Sequence, residues 1–147
     1  MIRKAAIADL PALCSLLGIL FSQEAEFSPD MEKQARALRQ IVSNPETGLI
    51  LLCAEQGETV AMTSLLFTVS TAMGGRAAIL EDLVVHPSCR GRGLGTKLLQ
   101  AAIGQAKESG CLRITLLTDR DNERAIELYR KHGFTPSPML PLRLALV

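Results

Sequence analysis

The run Arg90-Gly91-Arg92-Gly93-Leu94-Gly95-Thr96 has the residue types and spacing of an anion cradle. An apolar stretch precedes it, Ala78-Ile79-Leu80-Glu81-Asp82-Leu83-Val84-Val85, and an amphipathic one follows, Leu98-Leu99-Gln100-Ala101-Ala102-Ile103. Strand, glycine-rich turn and helix bring unpaired N–H groups and the positive end of a helix dipole to one point. Glycines let the backbone approach a phosphate because no Cβ intervenes, and Arg90 and Arg92 add donors. The chemistry is that of a pyrophosphate site. A P-loop would end in Gly-Lys-Ser/Thr, whereas Gly95 is followed by Thr96 and then Lys97. A dinucleotide fingerprint would read G-x-G-x-x-G; counted from Gly91 its last position is Thr96, and from Gly93 it is Leu98.

What fits is Arg-x-x-Gly-x-Gly at Arg90, Gly93 and Gly95, preceded by Leu83-Val84-Val85-His86-Pro87. A second motif follows, from Asp121-Asn122 through Tyr129 to Gly133-Phe134. Asp121 or Asn122 suits a helix cap. Ala125, Leu128, Tyr129 and His132 recur along one helical face, and Gly133 is a natural left-handed stop. Together the two motifs, over roughly residues 78–134, resemble the GNAT superfamily of N-acetyltransferases. The resemblance implies acetyl-CoA as cosubstrate. It implies that the main chain of Leu83, Val84 and Val85, on a bulged strand, pairs with the pantetheine arm. Gly91, Arg92, Gly93, Leu94, Gly95 and Thr96 would hold the pyrophosphate, with Arg90 where the family has Gln or Arg. Asn122 would contact CoA, and Tyr129 would sit near the thioester sulfur.

Acetyl transfer to an amine needs a neutral amine, a carbonyl held beside it and a stabilised leaving thiolate; direct attack in a ternary complex gains much from positioning. Tyr129, the only tyrosine, is the expected acid, since a phenol is protonated at neutral pH. Glu81 is the expected base, directly or through a water, with Asp82 or a water chain as the alternative. Simple alternation puts Glu81, Leu83 and Val85 on one face and Asp82 and Val84 on the other, unless the bulge resets the phase. Burial beside apolar neighbours would tune Glu81 as a base; a structural ion pair to Arg76 or Arg113 is the competing reading. The Glu81-Asp82 pair also has a local similarity to diamine acetyltransferases. His86 reads as a turn residue and His132 as a helix-end residue. Glu24, Glu26 and Asp30 read as a solvated loop that in the family borders the acceptor. Cys89 lies beside the turn, where a helix N-terminus favours a thiolate, but it has no evident base partner.

The elements that must position these residues follow from period and punctuation. A strand spans 2–7, and Asp9 caps a helix to about Phe21 with Pro11 in its first turn. Ser28-Pro29 opens a second helix to about Ser43. Strands at 49–55 and 59–70 flank a hairpin loop, Gln56-Gly57-Glu58. Met73-Gly74-Gly75 makes the next reversal, before a strand at 77–86. Then come a helix over 93–109, a strand over 112–118 and a helix over 122–132. Phe134 and residues 139–147 read as closing strands, with Pro136, Pro138 and Pro141 keeping part irregular. The order β-α-α-β-β-β-α-β-α-β predicts one α/β domain over 1–147, a mixed sheet with helices on both faces. The family resemblance adds a splay between the two central strands, 77–86 and 112–118, where unpaired strand groups meet the amide-rich pantetheine.

The chain has 147 residues, of which 48% are apolar, enough for one core. Aromatics make up only 3%, which argues against base-stacking platforms, and the net charge of +1 gives no reason to invoke nucleic acid or an acidic membrane. No apolar run approaches a membrane span, and the N-terminus does not read as a signal peptide. The four cysteines lie far apart with no metal spacing, as in a reduced cytoplasmic protein, and no metal is expected. Leu140, Leu142, Leu144 and Leu146 alternate and suit pairing across a two-fold axis, so a homodimer is expected. The expected acceptor is a small-molecule amine. The alternatives are a protein or peptide amine and, in a different class, an idle acyl-CoA-binding regulatory domain. Acceptor choice falls to the first two helices and the turn at 73–75, which carry no readable motif.

Overall fold

The stretch Leu49-Ile50-Leu51-Leu52-Cys53 is apolar at every position, so a strand there needs cover on both faces. The computed structural model, which describes residues 1–23 and 30–147, provides that cover. The chain forms two compact units, Met1–Leu117 and Thr118–Val147.

The first unit holds β1 (Ile2–Lys4), α1 (Leu10–Gln23), α2 (Met31–Ser43), β2 (Gly48–Glu55), β3 (Glu58–Ser70), β4 (Gly75–Val85), α3 (Leu94–Glu108) and β5 (Ile114–Leu116). The strands form one mixed sheet in chain order, antiparallel except for the parallel β4–β5 pair. Ile50 and Leu52 of β2, Met62 of β3 and Val84 of β4 pack with Leu10, Leu13, Leu16, Leu17 and Leu38 of α1 and α2. The opposite parity, Leu51, Cys53, Ala61 and Leu65, is also buried. α3 packs against β2, β3 and β4, with Leu98, Leu99 and Ala102 fully buried. Each fully buried Leu or Ile contributes about 1.5–3 kcal/mol, which is why the sheet accepts helices on both sides.

β5 pairs with β4 only at Ala78, Ile79 and Leu80, opposite Ile114, Thr115 and Leu116. From Glu81 onward the β5-facing edge of β4 has no strand partner among the described residues, which is the splay implied by the resemblance. No helix among the described residues is long and apolar enough to cross a membrane.

Several local expectations change. The first strand stops at Lys4 rather than 7, because residues 7–9 wind into a 3-10 turn. Asp9 is not the cap of α1: it accepts from the Ala6 amide at 2.7 Å and pairs with Arg3 at 2.8 Å. Ser28 and Pro29 lie outside the described residues, and α2 begins at Met31 with Asp30 as its cap, accepting from the Lys33 amide at 3.2 Å.

The second unit holds α4 (Glu123–Lys131). The closing strands are absent, since residues 134–147 join no ladder. Pro136, Pro138 and Pro141 have no N–H to donate, and the alternating Leu140, Leu142, Leu144 and Leu146 stand exposed.

Candidate functional site

The register between β3 and β4 jumps at the point where β5 leaves the sheet. Leu65 stands opposite Leu80 and Ser64 opposite Glu81, but Met62 stands opposite Val84. Thr63 therefore faces two residues, Asp82 and Leu83, which makes a β-bulge. Asp82 adopts φ 57°, a left-handed conformation uncommon for a side-chain-bearing residue. The bulge resets the alternation. Ser64 and Met62 are two residues apart on β3, so Glu81 shares its face with Val84, not with Leu83 and Val85. That face is the one covered by α1 and α2. Glu81 is exposed there rather than buried among apolar neighbours, which corrects the expectation of burial. It forms no ion pair among the described residues, because Arg76 turns instead to Glu46 at 3.1 Å and lies over the Phe67 ring. Beside it on β3, the buried Ser64 Oγ has no hydrogen-bond partner among the described residues.

β4 ends in a short 3-10 turn over Pro87–Cys89, capped by His86, whose Nδ1 accepts from the Ser88 amide at 3.2 Å. His86 is thus a turn residue, as expected. The glycine-rich turn follows. Gly91 and Gly93 adopt φ 77° and 78°, and a Cβ on either would meet nothing within 4 Å, so the space above both is open. Gly93 is the cap residue of α3 but has no side chain to offer, and the first helical bond is Lys97 N–H to the Gly93 carbonyl at 3.1 Å. The amides of Leu94, Gly95 and Thr96 precede that bond and receive no side-chain cap from Gly93; uncapped first-turn amides of this kind suit an anion.

The two arginines behave differently. Arg90, exposed, donates from Nε to the Val85 carbonyl at 3.1 Å, at the end of β4. Arg92 puts one terminal nitrogen on both carboxylate oxygens of Glu55, at 2.8 and 2.6 Å. Such an exposed pair contributes little to stability, but it ties the turn to the end of β2. The Arg92 side chain thus meets Glu55 through one terminal nitrogen. Cys89 Sγ lies 3.6 Å from Ser88 Oγ, and the four cysteines are free thiols. Burial pushes the Cys14 and Cys111 thiols up.

In the second unit Asn122 caps α4, its Oδ1 accepting from the Ala125 amide at 3.2 Å, which leaves Nδ2 as its donor. Tyr129 lies seven residues on, two turns along the same face of the helix. The helix ends in a Schellman motif: Phe134 N–H donates to the Tyr129 carbonyl and Gly133 N–H to that of Arg130, both at 3.1 Å, with Gly133 at φ 93°. The same closure sets the Phe134 ring edge-on to Tyr129, with centroids 5.8 Å apart. The spacing Tyr-x-x-x-Gly-Phe is thus a device for fixing the phenol ring. Burial pushes its hydroxyl above the ordinary 10, so it stays protonated at neutral pH. His132 donates from Nδ1 to the Leu128 carbonyl at 2.9 Å, a helix-end role. Asp30 is spent as the cap of α2, and Glu24 and Glu26 lie outside the described residues.

The first unit therefore brings together Glu81, the bulged main chain of Leu83, Val84 and Val85, and the turn from Arg90 to Thr96. The second unit brings together Asn122 and Tyr129. The sequence reading missed Thr63, Ser64, Glu55 and the stapling role of Phe134. The one signal for the first two is a pair of hydroxyl residues inside the otherwise apolar run from Val60 to Phe67.

Comparison with known proteins agrees with this geometry. The model of the "Acetyltransferase (GNAT) family" matches residues 12–134. An uncharacterized N-acetyltransferase of Bacillus subtilis, YhfO, is 35% identical over 136 residues, 90% of this chain and 88% of that one. The thialysine N-epsilon-acetyltransferase of Mus musculus is 33% identical over 78 residues, covering 53% of this chain and 46% of its own length. Among solved structures, an integron cassette protein from the mobile metagenome of Cole Harbour Salt Marsh superposes with a TM-score of 0.87 at 30% identity, covering 99% of this chain and 90% of that one. With the family model spanning both motifs and a relative matched over nearly its whole length, the chain belongs to the GNAT family of acetyltransferases, as an N-acetyltransferase.

Proposed function

We propose that this N-acetyltransferase moves the acetyl group of acetyl-CoA to the primary amine of a small molecule, by direct attack in a ternary complex, as one domain over 1–147. One observation carries the cofactor half of this reading. The 15-residue helix α3 begins uncapped behind two left-handed glycines, at the end of a strand whose edge opens from Glu81 onward. A pyrophosphate suits the uncapped amides of Leu94, Gly95 and Thr96, together with those of Gly91, Arg92 and Gly93 and the exposed Arg90 guanidinium. An amide-bearing arm suits the open edge at Leu83, Val84 and Val85. Asn122 contributes Nδ2 to CoA. The thioester supplies an activated acetyl group, and the protein supplies binding, orientation and proton handling.

Glu81 accepts the amine proton, directly or through a water, from the face shared with α1 and α2. Tyr129 holds a proton at its hydroxyl for the departing sulfur, and the burial that raises it keeps that proton in place. A small amine acceptor is supported by the local similarity to an enzyme named for thialysine, an amino acid. The exposed leucines at 140, 142, 144 and 146 support a homodimer, and free thiols support a cytoplasmic setting.

The test is CoA thiol release from acetyl-CoA across polyamines, amino acids, aminoglycosides and short peptides, with Tyr129→Phe as control. Turnover with a small amine, lost in the control, is the expected result. Turnover with peptides alone overturns the acceptor class. Failure of acetyl-CoA to raise the melting temperature overturns the cofactor assignment.

A further inference from the structure

The bulge in β4 raises a question that the catalytic residues do not answer: what holds it. A two-against-one mismatch leaves main-chain groups without ladder partners, inside a sheet covered on both faces. Asp82 must also stay at φ 57°, which the surrounding structure has to enforce. The residue opposite is Thr63, which is 0% exposed. Its Oγ1 donates to the Glu81 carbonyl at 3.0 Å. A hydroxyl thus reaches across the strand pair to the last carbonyl before the mismatch. Its register partner on β2 is Leu51, so it approaches from the α3 side of the sheet, opposite to the face that carries the Glu81 carboxylate.

We infer that Thr63 is a positioning residue for acetyl transfer: its hydroxyl pins the bulge and so fixes both the course of the Leu83–Val85 main chain and the face on which Glu81 stands. The inference rests on the acetyl-transfer reading above. A regular ladder through this point would carry Val84 to the other face, against its contacts with Met62 and α1, and would remove the offset that begins where β5 leaves. Thr63 favours the bulge by giving the Glu81 carbonyl a partner that the regular pattern does not use. A Val at this position fills the same volume and offers nothing.

The experiment compares Thr63→Val and Thr63→Ala, which remove the hydroxyl, with Thr63→Ser, which keeps it. Ile50→Val, a core change outside the site, controls for lost packing. A buried carbonyl deprived of its donor corresponds to roughly tenfold or more in an equilibrium. The expected result is an acetyl-CoA KM raised about tenfold in the Val or Ala variant with a lowered kcat, restoration to within about twofold in Ser, and no KM change in Ile50→Val. Amide exchange at Leu83 and Val84 in the free protein is expected to quicken in Val or Ala and not in Ser. If Val fails to fold, Ala is read against Ser. Wild-type KM, kcat and exchange in a variant lacking the hydroxyl overturn the inference, as does an equal KM rise in Ile50→Val. A wild type that neither binds acetyl-CoA nor releases CoA overturns the acetyl-transfer reading instead, and the exchange rates still judge Thr63 as the anchor.

Discussion

Replacing Gly93 by Ala separates backbone conformation from space. Gly93 sits at φ 78° with nothing within 4 Å of where a Cβ would stand, so an added methyl meets no atom. The cost is conformational: a left-handed L-residue is disfavoured by about 1–2 kcal/mol. If the turn holds its shape, that cost appears as lost stability, a melting temperature lower by about 3–6 °C for a domain of this size. If the turn relaxes instead, the amides of Leu94 to Thr96 no longer converge, and the same energy appears as an acetyl-CoA KM raised about fivefold to thirtyfold. Gly104 gives the control. It lies exposed in the middle of α3, has no positive φ, and likewise has nothing within 4 Å of a Cβ. There Ala is the better helix former by about 0.8–1.0 kcal/mol, so Gly104→Ala should melt about 2–4 °C higher with an unchanged KM. The same atom added to the same helix thus has opposite signs at its start and its middle. Thermal melts and acetyl-CoA saturation curves on the two variants read both. A Gly93→Ala protein that melts at or above wild type and keeps its KM refutes the left-handed cradle. A Gly104→Ala protein that melts lower refutes the assumption that open space at these glycines leaves only backbone terms.

Tyr129→Phe should lower kcat about a hundredfold while the acetyl-CoA KM stays within about twofold, since only the proton donor is lost; an unchanged kcat removes Tyr129 from the mechanism. Because burial pushes this phenol up, the wild-type rate should show no fall from its ionisation below pH about 10. Glu81→Gln should lower kcat about a hundredfold without altering acetyl-CoA binding, since only the proton acceptor is lost; an unchanged kcat acquits Glu81. The Arg3 guanidinium, hydrogen-bonded to Asp9, holds that carboxyl below the usual carboxylate range. A carboxyl lowered on folding adds stability above the ordinary range and loses it as pH falls through its folded value. The wild-type melting temperature should therefore drop more steeply than that of Asp9→Asn between pH about 5 and about 2; parallel curves would show that the pair contributes nothing.

The parts of this protein written in contiguous residues were legible in advance. The β2–β3 hairpin, the helix behind Gly93 and the capped helix from Asn122 to the Gly133 stop all depend on neighbours a few positions apart. So do the anion chemistry of the turn and the face shared by Asn122 and Tyr129. The closing strand over 139–147 misled for the complementary reason: apolar alternation is necessary for a strand, but pairing needs a partner edge, and none is engaged. Where Glu81 stands was decided by tertiary structure alone. Its face depends on one residue too many in β4 relative to β3, and alternation along a single strand carries no record of a mismatch with another. The same holds for Thr63, whose hydroxyl acts across eighteen residues of chain, and for Arg92, whose partner Glu55 stands thirty-seven residues away. Local order follows from torsion preferences and short hydrogen bonds. Partnership between distant residues follows from register, which exists only once the strands have met.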